Sequence, residues 1–215
     1  TSPLGVVNQL KAKHSELDES EQFKLRFAQG RPPYGVSLRV CQDEMGMVES
    51  VRDGQLAGHL QIKGHWIVES YFDAFKHSLT EDGWFDTGDI ATLDQDGYMQ
   101  ISDRSKDLIK SGGEWISSVE LENIAIAHPE LDMVAVIAAV HPKWDERPIL
   151  IAKKSAESCV SEAEILDFYS NKIAKWQIPD RVVFVDAIPV GGTGKILKKD
   201  LREAYGSILL AVDVA

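Results

Sequence analysis

Cysteine is scarce: Cys41 and Cys159 are the only two in 215 residues. That count excludes a disulfide-dense scaffold, and their separation excludes a CxxC redox or zinc motif. A reducing compartment is expected, with the cytoplasm as the default. Long apolar runs are missing as well. A membrane span needs about 18–20 consecutive apolar residues, and no such run occurs. The opening "TSPLGVVNQLKAKH" lacks the charged and apolar regions of a signal peptide. It also lacks an initiator methionine, so a piece of a longer protein is expected. Positive charge is in deficit: 23 Lys and Arg stand against 34 Asp and Glu, a net charge of −11. Without a broad positive field to release counterions from a polyanion, nucleic acid is excluded as the main partner. The six histidines include no i,i+4 pair, which removes the usual helical zinc signature.

What is present divides into two patterns, and the length suits two domains of about 100 residues each better than one. Polar, charge-mixed residues run from Lys11 to Gly30 and end in "GRPPYG". The alternating "VSLRV" then opens a strand at Val36. "DEMGM" and "RDGQLAG" separate it from "HLQIKG", and "DIATLDQDGYMQISD" predicts two strands joined by an Asp-Gly turn. Residues 34–103 therefore predict a β-meander.

After Arg104 strands and helices alternate. "SSVELENIAIAH" places Ser117 three residues before Glu120, a capping-box spacing, with Val119, Ile124 and Ala127 on or near one helical face. "MVAVIAAV" predicts a buried strand. "SEAEILDFYSNKIA" repeats the capping spacing at Ser161 and Glu164, "RVVFVDAI" predicts another strand, and "ILKKDLREAYG" a last helix stopped by Gly206. The fold class is α+β: a β-rich part over 1–105, then a small α+β domain over 106–215.

The glycine-rich "IPVGGTGKILKKDLRE" invites a P-loop reading. A Walker A loop needs G-x-x-x-x-G-K followed by Ser or Thr, because backbone amides wrap the phosphates and the hydroxyl reaches magnesium. Here Pro189 occupies the first glycine position and Ile196 follows Lys195, so the reading fails. Taken alone, Gly191, Gly192 and Gly194 form a surface turn. "DQDG" lacks the remaining ligands of a calcium loop and predicts only a hairpin. Asp89, in the tight "TGD" turn, has a carboxylate suited to a ribose diol, and Arg104 offers a planar donor set for the same sugar or a phosphate. Trp84 and Trp176 are expected to serve mainly in packing, and His141 in shaping its loop.

Three segments together carry a more specific message. "GWFDTGDIATLDQDGYMQISDRSKDLIKSGGEWISSVELE" (Gly83–Glu122), "HPKWDERP" (His141–Pro148) and "PVGGTGKILKKDLRE" (Pro189–Glu203) occur in an order that resembles the adenylate-forming acyl-CoA synthetase family. The wording "SGGEWISSVELEN" and "HPKWDERP" is most similar to medium-chain fatty-acyl-CoA ligases and the related 3-methylthiopropionyl-CoA ligases. The resemblance covers essentially the whole chain, but only the carboxyl-terminal part of such an enzyme. It implies that residues 1–105 end the large amino-terminal domain and that 106–215 are the small mobile domain carrying the catalytic lysine. It further implies that Asp89 binds the ATP ribose with help from Arg104, that Lys106 is the hinge, and that Lys195 contacts the reacting carboxylate and α-phosphate. Ser111, Gly112, Gly113 and Glu114 match a loop that forms the channel for the pantetheine arm of coenzyme A, with Lys110 and Trp115 flanking it.

The implied cofactors are ATP, Mg2+ and coenzyme A, with a small-molecule carboxylic acid as the other substrate. No residue of this chain is assigned to the metal. The missing amino-terminal half is the implied partner, and a homodimer is left open. "TSPLG" is expected just downstream of the family's adenine-site motif "YGxTE", which is not in this chain, nor is a central phosphate loop. "VGG" departs from the basic or hydroxyl residue many relatives carry before the lysine. Two alternatives stay open at this point: a module that passes its acyl group to a carrier protein, and a non-catalytic binding fragment. A fused carrier domain would favour the first, and tight binding of coenzyme A and AMP by this chain alone the second.

Overall fold

The computed structural model of the chain describes residues 5–43, 48–70 and 79–211. The sequence readings of "TSPLG" and "DEMGM" fall largely outside that range. Contacts divide the chain into two compact units, Thr1–Lys106 and Asp107–Ala215.

The first unit is a four-stranded antiparallel sheet in the order β1 (Val36–Cys41), β2 (Gly58–Gly64), β3 (Phe85–Leu93), β4 (Met99–Arg104). This is the meander that the alternating runs predicted. Its core gathers Val36, Leu38, Val40, Leu60, Ile62, Phe85, Ala91, Leu93 and Met99. Asp94 turns β3 into β4: its carboxylate accepts the amides of Asp96 at 2.9 Å and Tyr98 at 2.8 Å. Gly97, at φ +82°, supplies the left-handed residue this tight turn needs. Upstream, the polar stretch from Lys11 contains a helix, α1 (Glu19–Phe27), capped by Asp18 accepting the Glu21 amide at 2.8 Å.

The second unit is a five-stranded sheet covered on both faces. Its strands are β5 (Ile109–Ser111), β6 (Glu114–Ile116), β7 (Leu131–His141), β8 (Asp145–Lys154) and β9 (Arg181–Phe184). β7 pairs with β8 along ten positions, while the other edge of β8 takes Ser111 at its start and β9, in parallel, further on. Successive side chains of β7 point to opposite faces. Val134 and Val136 join Leu121, Ala125, Ile165 and Tyr169 on one side, against α2 (Ser118–Ile126) and α3 (Glu162–Phe168). Ala135, Ile137 and Ala139 join Leu201 and Leu209 on the other, against α4 (Lys198–Tyr205) and the 3-10 turn Ile208–Ala211. A strand buried on both faces reads as an unbroken apolar run, which is why "MVAVIAAV" shows no alternation.

Both capping spacings form. Ser117 accepts the Glu120 amide, and Ser161 with Glu164 makes the reciprocal box. Two local expectations need correction. The inward stripe of α2 is Ser118, Leu121 and Ala125, whereas Val119 is 39% exposed. Trp176 is 45% exposed, so its ring is not a packing anchor. Gly206 ends α4 as expected, at φ −62°. Glycine is required there because a Cβ would lie 2.5 Å from the Arg202 carbonyl oxygen.

Candidate functional site

In the first unit, the register of β3 and β4 sets Asp89 opposite Arg104. A cross-strand pair on one face brings side chains into reach, and Arg104 Nε donates to Asp89 Oδ1 at 2.9 Å. The turn ahead of Asp89 is held by Asp86 accepting the Gly88 amide at 2.7 Å, with Gly88 at φ +70°. Thr87 Oγ1 accepts the Asp89 amide at 3.2 Å. The aspartate side chain is only 18% exposed while its arginine partner is 57% exposed. The carboxylate is therefore fixed and the guanidinium remains reachable from solvent. Lys106 is exposed at the end of this unit.

In the second unit, the "SGGE" residues form the tip of a two-stranded hairpin. Lys110 pairs with Trp115 and Ser111 with Glu114, and Gly112 and Gly113 make the turn at φ +59° and +92°. Positive φ at both central residues is the geometry that a two-residue hairpin loop prefers, and only glycine adopts it without steric cost. Lys110, Gly112, Gly113 and Glu114 are exposed, Trp115 is half-buried, and Ser111 is buried at 7% exposure.

The hairpin is fastened by the "HPKWDERP" segment. Glu146 Oε2 accepts the Lys110 amide at 2.8 Å, and the Trp144 carbonyl accepts the Gly112 amide at 2.9 Å. The Trp144 ring lies so close that a Cβ on Gly112 would meet its Cε3 at 2.9 Å. His141 Nδ1 accepts the amides of Lys143 at 3.1 Å and Trp144 at 3.2 Å, which gives it the loop-shaping role expected of it. Sequence reading quoted this segment as family wording without assigning a role to Trp144, Glu146 or Arg147. An Arg between an acidic pair and a proline gives no local sign of a buried cation.

Lys195 sits at the end of a separate glycine turn. The Gly191 amide donates to the Lys195 carbonyl at 2.8 Å and the Gly194 amide to the Gly191 carbonyl at 2.9 Å, with Gly194 at φ +76°. The side chain is exposed and makes no ion pair or hydrogen bond among the described residues. Directly after it, Ile196 packs against the core under α4. Lys198 is anchored at 2.7 Å to Glu122 and 2.8 Å to Ser118, both on α2. A solvent-exposed cation thus stands three residues from a fixed one. Among the described residues no group of three or more His, Cys, Asp or Glu side chains could hold a metal ion. No helix among them is long and apolar enough to cross a membrane.

Residues 120–195 match the family model of the AMP-binding enzyme C-terminal domain. The second unit belongs to that family. The first residue of the AMP-binding C-terminal domain match lies inside α2, and the last is Lys195 itself. Among curated relatives, the chain is 58% identical over 208 residues to a 3-methylmercaptopropionyl-CoA ligase of Ruegeria pomeroyi, covering 97% of this chain and 38% of that protein. It is 54% identical over 209 residues to a medium-chain-fatty-acid–CoA ligase of Ectopseudomonas oleovorans, with the same coverage of 97% and 38%. The chain therefore spans well under half the length of these relatives. Among solved structures, ATP-bound MatB from Rhodopseudomonas palustris superposes with a TM-score of 0.76 at 32% identity, over 85% of this chain and 36% of that one. The o-succinylbenzoate CoA synthetase of Bacillus subtilis, in complex with its acyl-adenylate intermediate, gives 0.74 at 28% identity over 86% and 37%. The resemblance stated from three short segments and the α+β class both hold.

Proposed function

We propose that this chain supplies the carboxyl-terminal part of an ATP-dependent acyl-CoA ligase acting on short- to medium-chain carboxylic acids. The observation that carries the reading is an exposed lysine, without an ion pair or hydrogen bond among the described residues, presented on a glycine turn at the end of an AMP-binding C-terminal domain match. In the first step a carboxylate attacks the α-phosphate of ATP, releasing pyrophosphate and leaving acyl-AMP. In the second the coenzyme A thiol displaces AMP, gives up its proton and becomes the thioester. Splitting the chemistry through a mixed anhydride trades one difficult substitution for two easier ones.

Each element then has a defined task. Lys195 lowers the repulsion between two anions and follows the charge that develops on phosphorus, as a point charge on a flexible stem can. The fixed Asp89 carboxylate accepts from the ribose hydroxyls, with Arg104 within reach of the same sugar. The hairpin tip at Ser111–Glu114 serves the second step, where two glycines leave room for a narrow thiol-bearing arm beside the backbone. The break in contacts after Lys106 supports placing the hinge there. Magnesium would arrive with the nucleotide, and no residue described here is assigned to it. Two unpaired cysteines, one of them buried, support a reducing, cytoplasmic setting.

The test uses the full-length enzyme that contains this chain. With short- and medium-chain fatty acids, ATP and coenzyme A, it should release AMP and pyrophosphate and form the thioester. Absence of AMP with every acid in that range would refute the reading.

A further inference from the structure

The deepest charged group of the second unit is one that the two-step reading does not use. Arg147, on β8, is 8% exposed. A cation this buried is strongly unfavourable unless every donor is matched, and all five of its N–H groups find an acceptor. Nε donates to Asp180 at 2.9 Å. Nη2 donates to Asp180 at 2.6 Å and to the Ile178 carbonyl at 3.0 Å. Nη1 donates to the Trp176 carbonyl at 2.5 Å and to the Ser111 hydroxyl at 3.2 Å. Four of those bonds go to 176–180, the segment leading into β9. The fifth goes to the hairpin tip.

We infer that Arg147 is a positioning residue for the thioester-forming step: it locks the Ser111–Glu114 tip to the body of its domain so that the two glycines are held where the coenzyme A arm must pass. This rests on the proposed role of that tip. Three further contacts argue that the tip is a fixed edge and not a free flap. The Lys110 amide is held by Glu146, the Gly112 amide by the Trp144 carbonyl, and the Trp144 ring closes the space above Gly112. Both partner residues, Trp144 and Glu146, lie just ahead of Arg147 at the entry to β8. Asp145, at φ +69°, turns the chain there so that Trp144 and Arg147 can both face the hairpin. Ser111 fits this role better than a lining role, because its hydroxyl is buried and already committed to the guanidinium.

A planar fork is needed to span these acceptors. Lysine offers a single ammonium, which can keep the Asp180 pair or reach Ser111 but cannot hold all five bonds. Arg147→Lys therefore separates positioning from folding. In the full-length enzyme it should keep adenylation, read by ATP–pyrophosphate exchange, within about twofold. Conversion of supplied acyl-AMP to acyl-CoA should fall about tenfold, the scale of one charged hydrogen bond lost, with the KM for coenzyme A rising. Arg147→Ala should show the same split more deeply, and thermal melting of both variants identifies any loss that is only unfolding. A purely structural arginine would lower both half-reactions together. Equal losses, or an Arg147→Lys enzyme with unchanged thioester formation, would overturn the inference. Gly113→Val, which blocks the tip itself, separates this failure from that of the underlying reading. If it leaves thioester formation untouched, the tip has no role there. If it slows that step while Arg147→Lys does not, only the positioning role is lost.

Discussion

Replacing Lys195 by alanine should abolish one half-reaction and spare the other. The side chain is exposed and makes no ion pair or hydrogen bond among the described residues. Surface changes of that kind alter stability by about 0.5 kcal/mol or less, or roughly 2–4 °C in melting temperature for a domain of this size. Its kinetic effect should be far larger. Removing one preorganised donor from a developing oxyanion costs about 2.7–4 kcal/mol, which is two to three powers of ten. ATP–pyrophosphate exchange by the full-length Lys195→Ala enzyme should thus fall at least about a hundredfold. Supplied acyl-AMP should still be converted to acyl-CoA at close to the unaltered rate. Lys195→Arg should recover little, since a guanidinium is broader and cannot trace the same path on its stem. Equal losses in both half-reactions would refute the division of labour. A melting temperature lowered by ten degrees or more would refute the claim that this lysine carries no structural duty.

Other perturbations probe the surrounding framework. Gly112→Ala must adopt φ +59° and meet the Trp144 ring, so it should cost about 1–3 kcal/mol. In a Trp144→Ala background part of that cost should vanish, and a double-mutant cycle showing strict additivity would contradict the contact. Thiol labelling should divide in two. Burial raises the Cys41 pKa and hides its sulfur, while Cys159 is exposed, so one thiol should react quickly and the other only on denaturation. On the acid side, hydrogen bonds from Arg39 and then Thr80 hold Asp82 at a pKa of about 2, below its ordinary 3.8. Lys13 and Lys11 depress Asp96 in the same direction. A depressed carboxylate stabilises the fold above its unfolded pKa and loses that contribution as pH falls through the folded one. Melting curves of Asp82→Asn and the unaltered chain should therefore converge as pH drops from about 4 to about 2, and a constant gap would show that the pair does not titrate with folding.

The sequence revealed elements with short-range causes and concealed those made by distant partners. Asp94 and Gly97 announce the β3–β4 turn because the turn's hydrogen bonds lie within four residues. Ser161 and Glu164 announce α3 for the same reason. The helix α1 went unread, because it buries no residue and so lacks the apolar periodicity that usually marks a helix. Val119 was misplaced on α2 because an apolar residue at a helix start has no near neighbour in the sequence to say which face is inward. Gly206 was legible as the stop of α4, but the steric cause, a carbonyl 2.5 Å from where a Cβ would be, is visible only in the fold.

Arg147 is the sharpest case of concealment. Its acceptors lie between 29 and 36 residues away, and in linear context an arginine beside Asp145 and Glu146 looks like surface charge. Yet Glu146 turns to the Lys110 amide and leaves the guanidinium to be satisfied by Asp180, two carbonyls and a serine of the hairpin tip. Family wording could mark "HPKWDERP" as distinctive without saying what it does. The folded chain supplies a physical cause for the distinctiveness. A hairpin whose turn consists of two left-handed glycines has little rigidity of its own, and the residues that compensate are the ones that pin its amides, close over its first glycine and bind its serine. Two glycines that cannot hold the tip by themselves and a buried guanidinium that does are therefore two parts of one device, and substitutions in either should fall on the same half-reaction.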